Sequence, residues 1–187
     1  MWRRLTTICV AFGAFFSTFA LAAEQYNLGR PVLSQELAGW NIDVRPDGAG
    51  LPYGKGSAKS GREIFANSCA MCHGEKGEGK PMDRLVGGFG TLATKAPIKT
   101  VGSYWPYTST LFDYIRRAMP FNAPQSLSND DVYAVVAYIL FLNNIVPEDA
   151  VLDERTLPKI IMPNRNGFTS VDPRPDIKSE PCMTDCR

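Results

Sequence analysis

Apolar residues recur three and four positions apart in three stretches of the chain, the period of helices that bury one face. The first starts at Ser60, where Ser60-x-x-Glu63 has the form of a capping box, and continues through Ile64 and Phe65 to Ser68. The second begins at Thr108 or Ser109 and reads TLFDYIRRA, with Leu111, Phe112, Ile115 and Ala118 on its apolar side, and Pro120 prevents it going on. The third opens at Ser128 as SNDDVYAVVAYILFLNN. Acids in its first turn suit the helix dipole, and apolar side chains cover nearly its whole circumference, so it is expected at the centre of the fold. No segment alternates convincingly as a strand. The expected fold class is all-α.

The pattern weakens on both sides of this region. Residues 24–56 are rich in glycine and proline and predict an extended arm with one short helix around Ser34 to Trp40. Residues 57–146 hold the helices, and 147–187 form a second, proline-rich irregular arm. Between the first two helices lies GEKGEGKPMDRLVGGFGTLATKAP, too glycine-rich for a regular element and long enough to wrap one side of a planar ligand. There are no internal repeats. Gly61 and Phe65 of the first helix are expected to meet Tyr138 of the last, the small residue letting two helices cross closely.

The first residues suggest an address. MWRRLTTICVAFGAFFSTFALAAEQ has Arg3 and Arg4, an apolar run from Ile8 to Leu21, and small residues at Ala20, Ala22 and Ala23. This reads as a signal peptide over 1–23, cleaved near Ala22 or Ala23 on export to the periplasm. The rival is an uncleaved anchor, but the run is shorter than the ~20 residues of a membrane-spanning helix. Thr7 and Ile8 are poor residues before a lipidated Cys9. No later segment is apolar enough to span a bilayer, and what remains is long enough for one domain burying about two-thirds of its chain surface.

Losing Arg3 and Arg4 turns 20 bases against 19 acids into a net charge of −1, which is not the footprint of a nucleic-acid-binding protein. The distribution is uneven. Residues 70–119 lean basic and residues 120–187 lean acidic. A positive field on the first of these would steer an acidic redox partner, although a mixed solvated surface explains it equally.

The chemistry is concentrated in SGREIFANSCAMCHG, which contains the chain's one histidine. Cys69-x-x-Cys72-His73 is the spacing of a covalently attached haem c: two thiols on one turn meet the two vinyl groups, and the adjacent imidazole reaches the iron. A redox dithiol would sit on a βαβ pattern, and zinc would need four ligands, whereas the remaining mature cysteines are far away. The expected second axial ligand is Met119, before Pro120 in the loop between two helices, with an open site as an alternative; Met71 and Met82 lie too near His73. Met162 is the next candidate, with core packing the plainer reading for it. A His/Met pair raises the reduction potential. Trp105 and Tyr104, in GSYWPY, either pack on the haem ring or donate a hydrogen bond to a propionate, or else belong to the core. Cys182 and Cys186 in CMTDC suggest a local disulfide; a bridge to another subunit or a functional thiol pair is the alternative.

Residues 57–146 resemble a class I cytochrome c, with a first helix running into C-x-x-C-H, a distal methionine in a loop and a last helix crossing the first. The flanks extend the resemblance. GRPVLSQELAGWNIDVRPDGAGLP, TVGSYWPYTSTLFDYIRRAMPF, LPKIIMPNRNGF and the terminal CMTDC look like SoxD-type cytochromes, the haem subunits of sulfane dehydrogenase in periplasmic sulfur oxidation. The resemblance implies a molybdenum-cofactor partner (SoxC-like) that oxidises sulfane sulfur on a carrier protein, while this chain takes the electrons singly and passes them to a soluble redox acceptor. It matches Cys69, Cys72, His73 and Met119 to the haem positions. Some members carry two haems; this chain has one attachment motif. It has no molybdenum site and no catalytic constellation, so it is expected to be an electron-transfer subunit rather than an enzyme by itself. The alternatives are a free-standing diffusible carrier, or a haem enzyme or sensor with an open distal position.

Overall fold

The computed structural model describes residues 29–169, which divide into two units at Gly39. Among its described residues the first contains one short helix, α1 (Ser34–Ala38). It is held at its start by Glu36, whose carboxylate accepts from the Leu33 N–H at 2.8 Å and pairs with Arg30.

The second unit is helical around one long central element. In chain order it comprises β1 (Lys55–Ser57), α2 (Ala58–Ser68), α3 (Ala70–His73), α4 (Val101–Tyr104), α5 (Thr108–Ala118), α6 (Asn129–Leu142) and β2 (Val151–Asp153), then a 3-10 turn at Leu157–Lys159. The Ser128 side chain accepts from the Asp131 N–H at 3.2 Å, and Asp131 reaches back to the Ser128 N–H at 3.2 Å, so both ends of this capping box are satisfied. From Val132 to Leu140 every residue of α6 is buried, as all-round apolarity requires.

Two glycines bring the chain against α6. A Cβ on Gly56 would stand 2.1 Å from the Ala134 nitrogen, and one on Gly61 would stand 1.9 Å from the Ala134 carbonyl oxygen. Only hydrogen fits at either place, and α2 therefore crosses α6 in direct backbone contact. One turn later Phe65 meets Tyr138 edge to face, with centroids 5.4 Å apart. The expected crossing is present, and Gly56 adds a second close approach.

Two expectations change. The cap of α2 is Ser57 rather than Ser60: Ser57 Oγ accepts from the Ser60 N–H at 3.0 Å, and Ser60 Oγ accepts from the Ser57 N–H at 3.2 Å. The chain enters from β1 with Ser57 still extended (φ −104°, ψ 154°), so the helix starts one turn earlier and Glu63 lies beyond the cap. Strands, absent from the sequence reading, exist as a two-stranded antiparallel ribbon pairing Lys55 with Asp153, Gly56 with Leu152 and Ser57 with Val151. Three residues are too few for an alternation to be seen.

Both flanking segments take part in the core. Leu152, Leu157 and Met162 are all but fully buried, and the Leu157 carbonyl accepts from Thr108 Oγ1 at 2.7 Å. On the other side the Tyr133 hydroxyl donates to the Pro52 carbonyl at 2.9 Å; burial, followed by nearby Glu154 and Asp153, holds this phenol above its ordinary pKa. Residues 42–46 lie along α5 and bond to its polar side chains.

Candidate haem site

The end of α2 builds the site. Cys69 caps it, with its N–H on the Phe65 carbonyl at 2.9 Å, and its own carbonyl accepts from the Cys72 and His73 N–H groups at 3.1 and 3.0 Å. The single turn α3 thus carries Cys72 and His73 forward from Cys69. Gly74 ends that turn at φ +83°, where a Cβ would run into the Glu78 carboxylate at 2.5 Å. Cys69, Cys72 and His73 are all half-buried, and both sulfurs are free thiols. Burial, then the neighbouring Cys72, pushes the Cys69 thiol up to about 11, so in the unloaded chain it is neutral at physiological pH.

The imidazole is oriented from behind. His73 Nδ1 lies 2.7 Å from the Asp83 carbonyl oxygen. A carbonyl only accepts, so Nδ1 carries the proton, and Nε2 keeps the lone pair that a metal takes. The loop that supplies this carbonyl is bonded back to the motif: the Met82 N–H donates to the Cys72 carbonyl at 2.9 Å and the Gly79 N–H to the His73 carbonyl at 2.7 Å. Further along, Asn143 pins the loop from the end of α6. Its Nδ2 donates to the Leu85 carbonyl at 3.1 Å and the Ile139 carbonyl at 2.9 Å, while its Oδ1 accepts from the Gly87 N–H at 3.2 Å. Thr100 adds a bond from Oγ1 to the Gly87 carbonyl at 2.6 Å. Asn143→Leu is expected to lower stability by about 2–3 kcal/mol, because the loop's polar groups lose their partner inside the protein, and the denaturant midpoint measures it.

The methionines separate by position. Met162 lies fully buried in the core, the packing role expected of it, and Met71 and Met82 are exposed. Met119 is half-buried at the exit of α5, where the backbone turns extended (φ −121°, ψ 148°) and its N–H still bonds the Ile115 carbonyl at 3.0 Å. Trp105 follows α4, half-buried, with its ring edge to face with Tyr114 at 5.7 Å. Tyr104 pairs instead with Phe168 at 5.2 Å and lies under the Lys99 ammonium. Ala22, Ala23, Cys182 and Cys186 fall outside the described residues.

These residues fit haem c. Two unpaired thiols leave one helical end together, beside an imidazole whose tautomer is already set for coordination. Among the described residues, no group of three or more His, Cys, Asp or Glu side chains is placed to hold a bare metal ion. Sequence reasoning missed Asp83, Asn143 and Thr100. Asp83 acts through its carbonyl, which no side-chain pattern reveals. Thr100 was within reach, since Thr100-x-x-Ser103 closes a capping box on α4.

A helical fold of this kind around a C-x-x-C-H turn defines a c-type cytochrome, and the comparisons with known proteins agree. Residues 56–139 match the family described as cytochrome c oxidase, cbb3-type, subunit III. The crystal structure of the sulfane dehydrogenase SoxCD from Paracoccus pantotrophus contains a chain 43% identical to this one, superposing with a TM-score of 0.77 over 87% of this chain and 83% of that one. The chain belongs to the SoxD-type family of c-type cytochrome subunits. It is also 32% identical over 144 residues to a thiosulfate dehydrogenase of Stutzerimonas stutzeri (75% of this chain) and 27% identical over 114 residues to one of Psychrobacter arcticus (59% of this chain). It spans only 43% and 34% of the lengths of those two proteins.

Proposed function

We propose that this chain is the mono-haem, electron-accepting subunit of a periplasmic sulfane dehydrogenase, working beside a molybdenum-cofactor subunit that oxidises sulfane sulfur. The observation that carries the haem assignment is the His73 Nδ1 bond to the Asp83 carbonyl, immediately after the two thiols. The similarity to a SoxCD chain over most of both lengths supports the partner.

Cys69 and Cys72 would hold the group through two thioethers, and His73 Nε2 and the Met119 sulfur would be the donors to its iron. A haem c bound in this way supplies a one-electron iron couple, which divides a two-electron oxidation into single transfers. The protein's part would be to keep both donors in place. The Asp83 carbonyl fixes the imidazole's orientation and tautomer, while a thioether, neutral and soft, would favour the reduced state. Trp105, half-buried after α4, is assigned as a haem contact. The segment 1–23 directs export, and among the described residues no helix is long and apolar enough to cross a membrane.

Met119→Ala is expected to abolish the weak long-wavelength thioether-to-iron absorption of the ferric protein and to open the ferrous protein to carbon monoxide. An unchanged spectrum places the ligand elsewhere; rapid carbon monoxide binding by the unaltered protein indicates an open distal position. Purification at native levels distinguishes the subunit from a diffusible carrier: a stable complex with a molybdoprotein supports the first, and a monomer reducing a soluble acceptor by itself supports the second.

A further inference from the structure

Helix α5 carries a second face that its amphipathic pattern does not explain. Leu111, Phe112 and Ile115 point into the core. Ser109, Asp113, Arg116 and Arg117, spaced to share another face, would ordinarily be read as a solvated stripe. Each instead bonds to one short segment of the N-terminal arm. Ser109 Oγ donates to the Pro46 carbonyl at 3.0 Å, and the Val44 N–H donates to Asp113 Oδ1 at 3.1 Å. Arg117 Nη2 donates to Asp43 Oδ1 and to Asp113 Oδ1, both at 2.9 Å, and Arg116 reaches the Ile42 carbonyl at 3.4 Å. The arm therefore runs antiparallel to the helix, from Pro46 beside its first turn to Ile42 beside its last. Its closing contacts lie two and three residues before Met119.

The other side of Met119 lacks such support. Residues 121–126 are all exposed, and among the described residues no side chain from 120 to 127 makes a hydrogen bond or ion pair. Backbone turns through the Ala123 and Ser126 N–H groups order residues 121–126, and the first side chain to reach the core again is Leu127. The position of Met119 is thus set from upstream, by the last turn of α5.

We infer that the Ile42–Pro46 segment is a strut for the distal ligand: through Asp43, Asp113 and Arg117 it holds the end of α5 so that Met119 stays in place against competing ligands. These are positioning residues. An exposed ion pair alone contributes little, but here the same carboxylate also accepts a backbone N–H, and Asp113 is only 24% exposed. The inference rests on Met119 being the distal ligand, and the experiment keeps the two claims separable.

The probe is imidazole, titrated into the ferric holoprotein and followed by loss of the thioether band. Arg117→Gln and Asp113→Asn are expected to tighten apparent imidazole binding about five- to tenfold, a coupling of the ordinary size between neighbouring sites. Arg117→Lys is expected to restore part of the difference. Asp43→Ala leaves α5 itself intact, so it reports on the strut even where an α5 variant fails to fold, and it is expected to shift binding in the same direction. Asp47→Ala, whose carboxylate serves only the Ala49 N–H and Arg45 within the arm, is expected to change nothing. Lower denaturation midpoints for Arg117→Gln and Asp43→Ala with unchanged imidazole affinity would make the contacts merely structural and overturn the strut. If Met119→Ala keeps the thioether band, the ligand assignment itself fails, whatever the arm variants show.

Discussion

Replacing Cys69 and Cys72 together with serine yields a chain that carries no covalent haem: the haem-stained band disappears from a denaturing gel. Acidified organic solvent then extracts any pigment that remains. The serine hydroxyls occupy nearly the same space but form no thioether, so the variant isolates the covalent link from the shape of the turn. A second consequence concerns folding. Ile64, Leu85, Trp105 and Met119 pack only partly against the core, and without an apolar group beside them they are left facing solvent. The doubly substituted chain should therefore also show reduced helicity and easier proteolysis than the holoprotein. A single substitution, Cys69→Ser, keeps one attachment and is expected to retain colour at lower yield. Full retention of covalent haem by the double variant contradicts the site as described.

The largest purely structural effect is expected at Gly61. A valine there would drive its Cβ to 1.9 Å from the Ala134 carbonyl oxygen and 2.9 Å from the Tyr138 Cβ. The first obstacle is backbone in the middle of a buried helix, so it cannot rotate away, and α2 must lift from α6. The expected loss is about 3 kcal/mol or more, a substantial part of the stability of a domain this size. Denaturant titration measures it as a lower midpoint. Gly39→Ala is the control: its Cβ meets nothing within 4 Å and its φ is not positive, so the same titration should move by less than about 0.5 kcal/mol. The two outcomes separate close approach from glycine content in general.

What the sequence made legible follows from how local each signal is. Cys69, Cys72 and His73 are contiguous, and their chemistry depends on spacing alone. α6 announces itself because Ser128 and Asp131 cap it locally and its residues are apolar on all sides. α5 shows its ends for similar reasons, at Thr108 and at the residue before Pro120. The cap of α2 was misplaced because Ser57 and Ser60 both stand in plausible positions, and only the entry of β1 decides between them. The ribbon needs a partner from the far side of the chain, Val151–Asp153, which no window of sequence contains. The contacts of Asp83, Asn143 and the Ile42–Pro46 segment have the same character. Each joins residues distant in sequence, and several use main-chain atoms that any amino acid would provide. Charge was also an imperfect guide: Arg116 and Arg117 contribute to the basic lean of residues 70–119, yet both are engaged with the arm.

The segment that follows α6 has a practical consequence. Leu152, Leu157 and Met162 close the core from beyond the end of the matched family region at residue 139. Cutting out residues 56–139 as a portable redox cassette would remove those three plugs and shorten α6 before its last turn. Anyone grafting this module onto another scaffold must bring the tail along, or refill its holes with new side chains.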